Sequence, residues 1–93
     1  MLNHLSRKYK DPDAVLDYSV DWSDWLVLGD TIASVAWTVP PGITSISNTY
    51  STNVATIWLA AGTLGKVYTI TCEVTTAAGR VEDHSFELQI VDK

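Results

Sequence analysis

The run Gly65-Lys66-Val67-Tyr68-Thr69-Ile70-Thr71-Cys72-Glu73-Val74 alternates apolar with polar residues. It breaks at Ala77-Ala78-Gly79-Arg80 and resumes as Ser85-Phe86-Glu87-Leu88-Gln89-Ile90. A period of two sets a β-strand against a core, so Tyr68, Ile70, Cys72 and Val74 share one face. Phe86, Leu88 and Ile90 share one face of the next run. The small residues and Gly79 between the two runs predict a hairpin.

The upstream sequence repeats this grammar in shorter pieces. Ile32 to Val39 reads as a strand with Val35, Trp37 and Val39 inward, and Pro40-Pro41-Gly42 stops it because neither proline can donate to a ladder. Ile43 to Tyr50 reads as a strand near an edge, carrying Ile46, with serine and threonine on its wet face. Ser51-Thr52-Asn53 turns the chain into Val54 to Ala60, with Ala55, Ile57 and Leu59 on one face and Trp58 on the other. Residues 14–26 satisfy two periods. Leu16, Tyr18, Val20 and Trp22 alternate as a strand, while Val15, Tyr18, Trp22 and Trp25 fit a helical stripe. Aromatic and β-branched content favours the strand.

Six to seven short strands at such spacing predict an all-β chain, an immunoglobulin-like antiparallel β-sandwich over residues 14–93. A long closing hairpin led by Gly65-x-x-Tyr68 is how many such sandwiches end. Residues 1–13, closing in Lys10-Asp11-Pro12-Asp13, are expected to form an extended N-terminal arm. A length of 93 residues with 46% apolar content and four tryptophans suits one domain with a real core.

A formal net charge of -5 argues against nucleic acid as a partner. Its distribution is uneven: Arg7, Lys8 and Lys10 stand in the first ten residues. Asp11, Asp13, Asp17, Asp21, Asp24 and Asp30 follow with no Lys or Arg among them. The lone Cys72 falls on an apolar strand face and forms no intrachain disulfide, which suits folding in a reducing cytosol. No apolar leader and no run of membrane-spanning length is present, so no membrane partner is expected.

Catalytic constellations are missing from the pattern. His4 and His84 are far apart in sequence and Cys72 is expected inside, so no thiol–imidazole pair is read here. No Cys/His cluster has zinc spacing. Asp11, Asp13 and Asp17 supply hard oxygens, yet the loop glycine and terminal glutamate of a calcium hand are lacking. Gly62-Thr63-Leu64-Gly65 precedes a strand, not a helix, and so is no phosphate loop. No cofactor and no metal are expected. Trp22 and Trp37 are read as core, whereas Trp25 in a loop and Trp58 on an outer face are candidates for exposure.

The string Lys10-Asp11-Pro12-Asp13-Ala14-Val15-Leu16-Asp17-Tyr18, with Asp21-Trp22-Ser23-Asp24-Trp25-Leu26, is distinctive. Together with Trp37-Thr38-Val39-Pro40 and the closing hairpin, it resembles small bacteriophage virion proteins described as fiber-tail adaptors, over residues 9–92. Pro40-Pro41 stands where Ala-Pro would be closer to that pattern, a departure confined to a loop. The resemblance implies a non-enzymatic structural protein in multiple copies on a symmetric assembly, found in the virion and in the host cytoplasm during assembly. Its implied partners are tail, fiber or head proteins. The expected contact residues are Arg7, Lys8 and Lys10 in the arm and Asp21, Asp24 and Trp25 in the following segment. The alternative is a capsid-decoration or carbohydrate-binding module that uses Trp25 or Trp58 as a stacking platform.

Overall fold

The computed structural model describes residues 6–92. Its strands in chain order are β1 (Ser6–Lys10), β2 (Leu16–Asp21), β3 (Ile32–Thr38), β4 (Ile43–Tyr50), β5 (Val54–Ala61), β6 (Val67–Thr76) and β7 (Val81–Ile90). They form two sheets, ordered β1-β7-β6-β3 and β2-β5-β4. No helix occurs among the described residues. This is the immunoglobulin-like sandwich that the alternation predicts.

The closing hairpin supplies the centre of the first sheet. Directly opposed residues of an antiparallel pair share a face, and Tyr68 stands opposite Leu88 and Ile70 opposite Phe86. Ile70, Cys72, Val74, Leu88 and Ile90 are fully buried there, facing Ala55, Ile57 and Leu59 of β5. Each large aliphatic side chain so covered contributes about 2 kcal/mol. The turn closes with Gly79 N–H donating to the Thr76 carbonyl at 2.9 Å, and Gly79 takes φ +91°, a conformation open mainly to glycine.

Residues 14–26 resolve as the strand reading. Tyr18, Val20 and Trp22 point inward, and Leu16 at the strand's start is exposed. The competing helical period has a physical source: Trp25 and Leu26 N–H both donate to the Trp22 carbonyl at 3.0 Å, making one isolated helical turn after β2. Ile46 does not pack as a strand-face residue. It sits in a register break between Ser45 and Ser47 and is exposed. Trp37, expected inside, is half-buried against the core because β3 is the outermost strand of its sheet.

The arm needs correction. Residues 1–5 of it lie outside the described residues, while Ser6–Lys10 form β1, which pairs in parallel with β7 from Phe86 to Ile90. Every other strand pair is antiparallel. Four of the five β1 residues are exposed, as suits an edge strand, and that polarity gives it the sequence signature of an arm.

Candidate functional site

At one end of the sandwich three loops are tied into a single platform. The loop after β2 starts with an Asp21 turn: its carboxylate accepts from the Ser23 hydroxyl at 2.6 Å and the Ser23 N–H at 2.9 Å. These bonds hold the Asp21 carboxyl below its ordinary pKa. The loop between β4 and β5 joins through Asn53, whose carbonyl accepts from Trp22 N–H at 2.8 Å and whose amide donates to the Ser23 hydroxyl at 2.8 Å. Thr52 accepts from Ile32 N–H at 2.9 Å.

Asp30 ties in the hairpin loop. Its Oδ1 accepts from Thr31 N–H at 2.9 Å and Ala78 N–H at 3.1 Å. The Thr76 hydroxyl first, then these amides and the nearby Arg80 charge, keep its carboxyl below the usual range. Ala77 N–H also donates to the Thr31 carbonyl at 2.9 Å. So many cross-links between loops hold the end of the molecule in one shape.

Trp25 belongs to this scaffold. Its ring meets Trp22 edge-on with centroids 5.2 Å apart, and the Arg80 guanidinium lies 4.4 Å from its centroid. Arg80 Nη1 also donates to the Trp25 carbonyl at 3.4 Å. With the cation over the ring, Trp25 is no open stacking platform.

The exposed feature of this end is aliphatic. Leu28 is 104% exposed and Val27 52%, on a turn closed by Asp30 N–H to the Val27 carbonyl at 3.0 Å with Gly29 at φ +85°. Beneath them lies an open cleft of about 270 Å³ whose wall includes Ser23, Leu26, Asp30, Thr31 and Asn53. Asp24 is exposed beside it. Sequence reasoning passed over Leu28. The available signal was an aliphatic run, Leu26-Val27-Leu28, in a segment read as loop, where no strand claims those side chains.

The basic residues lie elsewhere. Arg7 stands opposite Glu87, in the half of β7 remote from the hairpin loop. Its guanidinium donates to Glu87 Oε1 at 2.8 and 3.2 Å and to Gln89 Oε1 at 3.3 Å. Lys8 is exposed on the same edge. Lys10 is fully buried, its ammonium donating to the carbonyls of Ala61 at 2.7 Å and Asp11 at 2.8 Å. Desolvation pushes its pKa down, against the pull of Asp11 and Asp13. Lys10 therefore stands inside the fold and presents no contact surface. Arg7 and Lys8 are not gathered with Asp21, Asp24 and Trp25 into one site.

Other candidates fall into place around these. Trp58 is 41% exposed on the outer face of the second sheet, opposite Asp17 on one side and Ser47 on the other. Cys72 is fully buried and its thiol is pushed up to about 11 by desolvation, so it is no nucleophile. Tyr68 is structural, its hydroxyl accepting from Thr63 N–H at 3.0 Å. Among the described residues no group of three His, Cys, Asp or Glu side chains is placed to hold a metal ion.

No curated protein matches the chain. Among solved structures it is similar to the solution structure of the PKD domain from KIAA 1837 protein. That match has 17% identity and a TM-score of 0.56, and covers all of this chain and 85% of that one. At that identity the likeness speaks to the fold alone, and it agrees with the sandwich described above. The model of the family described as podophage GP4 fiber-tail adaptor protein gp77 matches residues 10–89, and the chain belongs to that family.

Proposed function

We propose that this chain is a non-enzymatic structural protein that joins a fiber or accessory protein to the phage tail or head, in multiple copies, by protein contacts at its loop end. Its place is the virion, reached from the host cytoplasm during assembly. The observation that carries the reading is Leu28, a fully exposed leucine beside half-exposed Val27 on a platform cross-linked by Asp21, Asp30 and Asn53. A rigid apolar tip loses little entropy on docking and suits a pocket on a neighbouring protein. Asp21 and Asp24 would form its polar rim, with Trp25 bracing it from behind. Lys8, with Arg7 paired to Glu87 beside it, offers a second surface on the β1 edge, as a joining piece needs. Multiple copies would make weak single contacts sufficient.

Replacing Leu28 by Asp tests this. Incorporation into particles is expected to fall to about a tenth or less of wild type, while the isolated chain keeps its thermal midpoint. Wild-type incorporation would overturn the reading.

A second reading rests on Trp58, an open ring in the middle of a hydroxyl-rich sheet face with Asp17 beside it. Such a ring can stack on a sugar while the carboxylate accepts from its hydroxyls. Glycan-array binding lost in Trp58→Ala would support it; an array with no bound glycan would sink it.

A further inference from the structure

From Thr31 to Gly65 the chain contains no Asp, Glu, Lys, Arg or His. The topology gathers that stretch into β3, β4 and β5. β3 is the outer strand of one sheet and β4 the outer strand of the other. The two are consecutive in the chain and touch, with the Tyr50 hydroxyl donating to the Ala33 carbonyl at 2.7 Å. Both open edges therefore lie along one flank of the sandwich, and that flank is uncharged.

An open edge is a template for pairing, and charge or shortness usually guards it. The other two edges follow that rule. β1 has five residues with Arg7 and Lys8 exposed, and β2 has six with Asp17 and Asp21 exposed. β3 and β4, with seven and eight residues, carry no charge. Each has one register break, at Ile32/Ser34 and Ser45/Ser47, which leaves Ser34–Thr38 and Ser47–Tyr50 regular.

β4 is also largely uncovered on both faces. Every residue from Thr44 to Tyr50 is exposed. Yet Ser45, Asn48 and Tyr50 stand opposite Leu59, Ile57 and Ala55, which are fully buried. Opposed residues share a face, so those three look toward the other sheet, where Tyr50 reaches the β3 backbone through its hydroxyl while Ser45 and Asn48 stay exposed. The facing sheet ends at β3, too soon to cover more than the Tyr50 end of β4.

We propose that the β3–β4 flank is the contact surface for a second copy of this chain. Two properties favour that occupant over a different protein. Copies carrying a net charge of -5 repel one another, and on this flank no like charges meet. A surface that meets itself cannot use charge of one sign, whereas hydroxyls, amides and open backbone groups both donate and accept and so complement themselves. The proposal concerns the isolated chain and stands apart from the virion reading.

Equilibrium sedimentation of the purified chain, up to about 1 mM, tests it. Reversible self-association is expected, and Asn48→Lys or Ala36→Lys, both at exposed positions, should weaken it about tenfold or more. Thr69→Lys, exposed on the central strand β6, should leave it unchanged. Asn48→Cys adds a second readout: with Cys72 buried, the new thiol is the accessible one, and a thiol cross-linker should yield covalent dimers. A chain that stays monomeric throughout, or association indifferent to Asn48→Lys, overturns the proposal. Loss of glycan binding or of a different virion protein in Asn48→Lys of a monomeric chain would overturn it too, and would give the flank to that partner.

Discussion

The Lys10 ammonium donates a 2.7 Å hydrogen bond to the Ala61 carbonyl, joining the first strand of one sheet to the end of a strand in the other. Ala61 has φ +66°, the left-handed region, so this bond steadies a corner that the backbone does not favour. A basic residue read from sequence as part of a docking arm thus acts inside the fold.

Lys10→Met keeps the aliphatic stem and removes the donor. The part-buried carbonyls of Ala61 and Asp11 then lose their charged donor, and stability to urea should fall by about 1–2 kcal/mol. Deleting residues 1–10 removes β1 as well as Lys10, and should destabilise the chain at least as much. A truncation unchanged in urea would show that β1 adds nothing to the fold.

Gly62 packs where a side chain cannot. A Cβ there would lie 2.6 Å from Ile90 Cδ1 and 3.0 Å from Ile43 Cδ1, and φ is +106°. Gly62→Ala should cost about 3 kcal/mol from overpacking and backbone strain combined. Gly29 has φ +85° and no atom within 4 Å of a Cβ, so Gly29→Ala carries the backbone strain alone, about 1–2 kcal/mol. Urea melts of the two variants should separate them, Gly62→Ala being the weaker.

Asp30 makes the loop platform acid-sensitive. Its folded carboxyl titrates below the ordinary 3.8, so its contribution is present above that value and is lost as pH falls through the lower folded one. Asp30→Asn should flatten the decline of stability with pH in that acid range. It should also speed amide exchange at Ala78 and Thr31, whose N–H groups lose their acceptor. Equal acid slopes in the two proteins would show that the carboxylate does not anchor the loops.

Where a strand has one covered face, its sequence declares it. Ile57 and Leu59 against Trp58, and the whole β6–β7 hairpin, are legible because alternation and burial coincide. β1 was not legible, because an edge strand with four exposed residues has no apolar face to write into the sequence, and its partner β7 lies at the far end of the chain. The fate of Lys10 depends on the Ala61 carbonyl, a contact that no local pattern encodes. Trp25 was placed correctly in a loop, but Arg80, which covers its ring, comes from a different loop. Leu28 was visible as an apolar residue outside any strand; its full exposure follows from the turn that Asp30 and Gly29 make around it.

The proposed docking of the loop end on another virion protein turns on Leu28. A photo-reactive amino acid placed at position 28, with Thr69 as control, can be activated in purified particles and the products identified by mass spectrometry. Adducts to one other virion protein are expected from position 28 and none from position 69. Unreacted probe at position 28, or the same adducts from both positions, would contradict it.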